Sequence, residues 1–548
     1  MKRWIGQKPA ESEVTRVFDQ FWDAIDAVYQ SYNRASWARA GFPEGDPRAP
    51  APGRWTGPDA ERRRPDLTRR LLDRLGRPDC GAPSVLVAGS KGKGSTARMI
   101  AGILQAHGLR VGLFTGPHLL HPMERITING IPLPEEDFVR WMNEIGPLIQ
   151  EIDREIRSDE YIAPVGIYLA VALCAFREAG TDIDVLECGR GARFDDVAQV
   201  RARWAAVTPV MEEHLKELGP TLADVAWHKA GAIRPGVRAS FAGRQNPEVA
   251  ALLRGEAKAL GVPLRILGRD FCVDEAKITS QGLWTAITTP GGRRIETTLP
   301  GVGGFQADNA ALAAAVAENI LQDESWRGRG APWSEARAAE GLRKAVHPGR
   351  CQILSRRPLI LVDGAVTGAS AAQIRELLER WRVRVVTVGA VPSDKDYPGV
   401  YRELAPVSDG LVLTRAGNGY FTYPGEGEAM ARRWYARVAT APNLKEALRV
   451  AGMWLKKTRG TPAGAGVSRR TGMAAGANVH VQRVELPVGL GGRHEKENPG
   501  ERGILLVGAQ PFVAEVLSFL TECPQHGSMI NDSRAKDSPG GGGRGDAR

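Results

Sequence analysis

The residues best suited to chemistry form one run, Gly89-Ser-Lys-Gly-Lys-Gly-Ser-Thr96, between an apolar stretch at 84–88 and a helical pattern at 95–107. Gly89, Gly92 and Gly94 let backbone N–H groups converge on phosphate oxygens, and a helix N-terminus adds a favourable dipole. Lys93 can neutralise terminal phosphates, and Ser95 or Thr96 can offer a hydroxyl to Mg2+. The string is not a strict GxxxxGK[ST]: no glycine precedes Gly92 by five, and Gly94 stands where the hydroxyl belongs. A Gly/Lys/Ser turn alone could be a flexible connection, but a strand before it and a helix after it favour nucleotide binding.

Those flanking elements belong to a longer alternation. Strands are expected at 84–88, 109–115, 183–188, 204–209 and 238–241, and helices at 67–75, 95–107, 134–152, 165–179, 222–230 and 247–260. This predicts a mostly parallel sheet with helices on both faces. Residues 262–300 read instead as antiparallel hairpins, followed by a helix at 309–321 and a polar joint at 322–335. A second α/β pattern starts near 350, with strands at 359–362, 383–388 and 410–413 and helices at 371–381 and 444–455. It is broken by a Gly/Ala/Arg-rich insertion at 458–502 and resumes at 504–507 and 511–520. Residues 12–40 read as an amphipathic helix carrying Val14, Val17, Phe18, Phe21, Trp22, Ile25, Val28 and Tyr29. A Pro/Gly-rich linker or ordered loop follows it.

The expected fold class is therefore α/β: a phosphate-loop nucleotide-binding domain followed by a smaller Rossmann-like C-terminal domain. The boundaries are 1–64 (helical extension and linker), 65–335 (central ATP-binding domain), 336–524 (C-terminal domain with the insertion) and 525–548 (disordered tail).

The 548 residues are 43% apolar and 25% charged, which excludes a mainly disordered, collagenous or membrane-embedded chain. The longest apolar run, 167–176, is about half a membrane span. MKRWIGQKPAESEV has no apolar signal core, and six scattered cysteines form no CxxC pair or zinc spacing, so a cytoplasmic protein with reduced thiols is expected. The net charge of +10 invites a nucleic-acid reading. However, residues 456–502 hold nine Lys/Arg against four Glu, half of that excess. The charge describes an appendage, and neither a nucleic-acid nor a membrane partner is expected.

The run VAGSKGKGSTARMIAGILQAHGLRVGLFTGPHLLHPMERITINGIPL resembles the N-terminal domain of the folylpolyglutamate synthase/dihydrofolate synthase family, in the Mur ligase superfamily. The family's loop is Gly-Thr-Asn-Gly-Lys-Gly-Ser, from which Ser90 and Lys91 depart; Pro117-His118-Leu119 and Glu124-Arg125-Ile126 match. The likeness covers about 65–455 and 504–520. It implies a Mg2+ site from Ser95, Glu187 (in LECGRGARFDD), His214 (27 residues later) and Lys229 (15 further on), the last as a carbamylated lysine. A carboxylate and an imidazole suit a cation bridging phosphates, and carbamylation needs a partly buried lysine of depressed pKa.

The resemblance also implies ATP contacts from Asn309 (GFQADNAALA, with Gln306), from Arg350 (HPGRCQIL) reaching across to the phosphates, and from Asp363 near the ribose, with Asp394-Lys395-Asp396 matching a C-terminal string. Lys93, Lys229 and Arg350 would be the catalytic groups. Several positions depart from the family. Gly116 stands for a Mg2+-ligating Ser, His228 for a Glu, and Phe305 for a His. Val197-Ala198 replace Thr-Asn, and Asp363-Gly-Ala-Val-Thr-Gly368 replaces DGAHNP, losing the His and Asn implicated in handling the amino acid.

The implied activity is ATP-dependent ligation of glutamate to a folate carboxylate through an acyl phosphate, with ATP and Mg2+ as cofactors, by a monomer acting on small molecules. The alternatives left open are a Mur-type amide ligase with other substrates and an ATP-binding paralog without turnover.

Overall fold

The computed structural model describes residues 20–41, 57–279, 282–300, 302–323, 332–345, 348–356, 358–416, 426–457 and 502–521. Ahead of the first sheet come α1 (Phe21–Arg39), α2 (Asp59–Arg62) and α3 (Pro65–Arg74). β1 (Ser84–Ala88) runs into α4 (Lys93–Ala106), and β2 (Val111–Phe114) into a short hairpin, β3 (Ile126–Ile128) and β4 (Ile131–Pro132). α5 (Glu135–Glu155) and α6 (Pro164–Ala179) lead to β5 (Ile183–Glu187) and β6 (Ala202–Val207). α7 (Leu215–Leu218) and α8 (Leu222–Ala230) lead to β7 (Ala239–Ala242), and α9 (Pro247–Ala259) to β8 (Leu264–Ile266).

These strands form one sheet ordered β4-β3-β2-β5-β1-β6-β7-β8, parallel from β2 to β8. Every residue of β1 is buried, as a central parallel strand requires. Val85 and Val87 face a core shared with α4, while Leu86 and Ala88 face one shared with α5 and α6.

Residues 262–300 do form antiparallel strands, β9 (Cys272–Thr279), β10 (Gly282–Thr288) and β11 (Arg294–Leu299). β8 is an exception within that stretch, because Leu264–Ile266 completes the parallel sheet beside β7. α10 (Phe305–Gln322) begins four residues earlier than the pattern suggested, which places Gln306 and Asn309 in its first turns, and α11 (Glu335–Lys344) follows. Gly102 of α4 and Gly341 of α11 touch: a Cβ on Gly102 would lie 2.7 Å from the Gly341 carbonyl oxygen. Side chains there would force the helices apart.

The second sheet comprises β12 (Gln352–Arg356), β13 (Leu359–Asp363), β14 (Arg384–Ala390), β15 (Ser408–Leu413), β16 (Val438–Thr440) and β17 (Arg502–Gly508), in the order β12-β13-β17-β14-β15-β16. Only β12 is antiparallel. Its helices are α12 (Gly368–Trp381), α13 (Tyr397–Leu404), α14 (Gly427–Ala431), α15 (Leu444–Lys457) and α16 (Gln510–Thr521). Arg502 thus belongs to a strand rather than to the insertion, and the rest of the insertion and the tail lie outside the described residues.

The N-terminal extension differs most from expectation. α1 starts at Phe21, so Val14, Val17 and Phe18 lie outside the described residues. Trp22, assigned to the apolar face, is 59% exposed. Phe21, Ala24, Ile25 and Val28 share a core with Phe138 and Trp141, so α1 is part of the first domain's packing rather than a separate unit. The described end of the linker is also structural. Asp59, 2% exposed, pairs with Arg190. Arg63 donates to the Arg190 and Phe194 carbonyls and to Asp195 Oδ2 at 3.3, 3.2 and 3.0 Å. Among the described residues no helix is long and apolar enough to cross a membrane; the 167–176 run is the buried face of α6. The five described cysteines are free thiols.

Asp184, at the start of β5, is 2% exposed and its one side-chain partner among the described residues is the Thr181 hydroxyl, 2.7 Å away. Burial pushes its carboxyl from 3.8 up to about 7, against the pull of Thr181. A raised carboxylate binds its proton more tightly folded than unfolded, so stability falls as pH rises through that window. The wild type is expected to lose up to about 4 kcal/mol between pH 4 and pH 7 through this group. Asp184→Asn should flatten the slope and be the more stable protein at pH 8; urea unfolding of both at pH 4, 6 and 8 checks this.

Candidate active site

The phosphate loop crosses from β1 to α4 at the C-terminal edge of the sheet, where open α/β sheets gather ligands. Gly89 and Gly92 adopt φ values of 130° and 88°. A Cβ on Gly89 would come 2.0 Å from Thr208 Oγ1, and one on Gly92 2.4 Å from Asn309 Oδ1, so both positions admit only glycine. Ser90, a departure from the family string, latches the loop. Its Oγ donates to the Met211 carbonyl at 3.1 Å and accepts from Met211 N–H at 3.0 Å.

One cavity of about 330 Å³ opens over this loop. Ser90 to Ser95, Glu187 and Asn309, the last packed against Gly92, line it together with Arg350 and Asp363 of the second α/β unit. Glu187 ends β5, and its Oε2 accepts from Gly116 N–H at 3.1 Å. Burial pushes its carboxyl up, partly offset by Lys93, the Gly116 N–H, Arg98 and Arg350. Gly116 itself has room: a Cβ there would lie 3.5 Å from Arg125 Nη1, so no clash dictates the loss of the serine. Glu124 organises the following loop by accepting from Leu119, Leu120 and His121 N–H groups at 2.8–3.0 Å.

Asn309 Nδ2 donates to Gln306 Oε1 at 3.0 Å, which fixes its amide against Gly92. Asp363, 6% exposed, accepts from Cys351 N–H at 2.7 Å and so secures the turn that carries Arg350. Asp396 N-caps α13 and also accepts from Gly368 N–H at 2.8 Å, tying α12 in place below the cavity.

Lys229 is fully buried and does not line the cavity; it clamps the loop from behind. Its Nζ donates to the Gly89 carbonyl at 2.8 Å and to Glu213 Oε1 at 2.9 Å. Burial, then the nearby Lys93, lowers its ammonium from 10.5 to about 8 despite Glu213. His214 stands apart: its side chain is half exposed, with Nδ1 3.9 Å from Glu217. Among the described residues no group of three or more His, Cys, Asp or Glu side chains is placed to hold a metal. The residues that fit Mg2+ are Glu187 and Ser95, one carboxylate and one hydroxyl beside the phosphate loop. That is the donor set of an ion completed by substrate phosphates and water. Thr96 is fully buried and not in the lining, so Ser95 is the hydroxyl on offer.

Three contributors escaped the sequence reading. Glu213 differs from any surface acid only by adjoining His214. Thr115 lines the cavity beside Gly116. Arg98 lies one turn into α4 and also lines the cavity.

Fold and site together define a nucleotide-handling α/β protein whose phosphate loop is faced by a second α/β unit across one cavity. No protein-family model matches the chain. The dihydrofolate synthase/folylpolyglutamate synthase of Mycobacterium tuberculosis is 32% identical over 406 residues, covering 71% of this chain and 82% of that protein. That of Bacillus subtilis is 30% identical over 352 residues, covering 63% and 79%. The structure of M. tuberculosis folylpolyglutamate synthase complexed with ADP and AMPPCP superposes with a TM-score of 0.71 at 27% identity, over 84% of this chain and 96% of the other. The chain belongs to the folylpolyglutamate synthase/dihydrofolate synthase family.

Proposed function

We propose that this protein is an ATP-dependent ligase that joins glutamate to a folate carboxylate. The observation that carries this is the convergence, in one cavity, of the phosphate loop, Glu187, Asn309, Arg350 and Asp363. The loop and the N-terminal N–H groups of α4 would hold the ATP phosphates, and Asn309 would contact the base. Lys93 and Arg350 take up the charge that develops as the γ-phosphoryl passes to the substrate carboxylate. That transfer leaves ADP and an acyl phosphate; the amine attacks its carbonyl carbon through a tetrahedral intermediate, the C–O bond to phosphate breaks, and inorganic phosphate and the amide are released. Glu187 and Ser95 hold Mg2+, which supplies charge neutralisation on the phosphates when bound. Lys229 keeps the Gly89 peptide oriented, and Asp363 keeps Arg350 aimed. The residues named for the cavity all come from one chain, which supports our reading of a monomer acting on small molecules in the cytoplasm.

Purified protein in Mg2+ and bicarbonate should release ADP only when both folate and glutamate are present; absence of that dependence overturns the reading. A second reading keeps the chemistry and changes the amine. The C-terminal wall presents Val366, Thr367, Ser370, Gln373 and Gln510, all uncharged. ADP release across an amino-acid panel separates the two.

Glu187→Gln keeps an acceptor for Gly116 N–H and removes the charge. It is expected to lower kcat by roughly 10- to 100-fold and raise the Mg2+ needed for half-maximal rate, with no loss of melting temperature.

A further inference from the structure

Between α4, β2, β3 and the end of α11 lies a second cavity of about 340 Å³. It is lined by Arg98, Gln105, Thr127, Gly130 and Lys344, with Ala101, Leu113 and Ala345 as its apolar part. Nothing in the proposed ligation uses it.

Two buried polar groups at its wall are unsatisfied. Arg98 makes one long hydrogen bond, Nη2 to Thr115 Oγ1 at 3.4 Å, and its Nε is buried with no partner among the described residues. It makes no ion pair there either. Thr127 is 4% exposed, and its Oγ1 is also buried without a partner. The charges of Glu187 and Glu124 reach Arg98 from the catalytic side, but its buried Nε and the Thr127 hydroxyl are both left without a hydrogen-bond partner, and each such orphaned group is costly. Among the described residues no acidic side chain lines the cavity. Lys344 also lines it, its side chain 75% exposed and paired with Glu340 at 2.6 Å. The volume is within the range of small-molecule sites.

We infer that this cavity binds a small oxyanion, a phosphate or a carboxylate, which accepts from Arg98, Thr127 and Gln105. The planar guanidinium presents its donors in a fork that matches either oxyanion. Arg98 lines both cavities, so the ligand sits directly behind the phosphate loop's helix and shares a residue with the catalytic cavity. The site does not depend on the ligation reading, and its test involves no turnover.

Inorganic phosphate and glutarate are each titrated calorimetrically into the full chain saturated with a non-hydrolysable ATP analogue, which fills the phosphate loop. At least one is expected to bind saturably. That binding should weaken tenfold or more in Thr127→Val and in Gln105→Leu, both chosen outside the catalytic lining. The tighter of the two anions identifies the source, phosphate or carboxylate. No saturable binding of either, or binding unchanged in both variants with melting temperatures intact, overturns the assignment.

Discussion

Replacing Lys93 with Met is expected to cut ATP-dependent turnover by about a thousandfold while leaving the melting temperature nearly unchanged. The two halves of that expectation have different origins. Lys93 is the first residue of α4, and among the described residues its ammonium makes one long hydrogen bond, 3.4 Å to the Ser90 carbonyl, so little folding energy rests on it. Its charge is spent on the cavity, where it faces the phosphate positions and holds down the Glu187 carboxyl that burial pushes up. Removing it withdraws charge from the transferring phosphoryl group and also favours protonated Glu187. The residual rate should therefore show its acid limb at higher pH than the wild type. Lys91 is the control. Its side chain is 56% exposed, 4.0 Å from Glu213, and its Met variant should lose far less. ADP-release kinetics across pH on both variants checks the contrast, and equal losses would remove Lys93 from its role.

How much of this was legible follows from which interactions are local. The phosphate loop was, because strand, glycines and helix are contiguous, although the contacts that require glycine at 89 and 92 come from Thr208 and Asn309, far along the chain. The α6 helix was, since its apolar run is buried on all sides. β17 was legible as a strand, yet its place in the middle of the second sheet, between β13 and β14, was not, since pairing order is set by packing across the whole domain. β3 and β4 were missed because strands of three and two residues carry no period. Asp59 and Arg63 read as linker residues because their partners, Arg190 and Asp195, lie more than 125 positions away.

The site divided along the same line. Glu187 ends β5, a strand-end position where a ligand group is expected, whereas Asn309 in the early turns of α10, Arg350 in the turn before β12 and Asp363 at the end of β13 were expected from the family resemblance. His214 could not be placed that way. It caps a four-residue helix with φ of 52°, a loop geometry that spacing does not encode, and the structure turns it toward Glu217. Arg98 sat unnoticed inside a helix whose sequence otherwise reads as packing.

Lys229→Met is the change expected to damage the protein most. Glu213 is 16% exposed and loses its nearest cation, while the Gly89 carbonyl loses its donor, so the single variant should be destabilised by about 3–5 kcal/mol. If the loss comes from the orphaned carboxylate, Lys229→Met/Glu213→Leu should recover most of it, and additive losses in the double variant would dissolve the pair. Activity should not recover with stability, because the loop remains unanchored at Gly89 in both. The pH dependence has a definite sign. A lysine lowered from 10.5 to about 8 binds its proton less tightly folded than unfolded, so wild-type stability should rise relative to the Met variant from pH 8 to pH 10.5. A carbamate on this amine would place a second anion against Glu213, now 2.9 Å from Nζ, which is tolerable only with a cation between them. The ammonium clamp makes no such demand. ADP release that persists without bicarbonate therefore belongs to the clamp, and strict bicarbonate dependence to the carbamate.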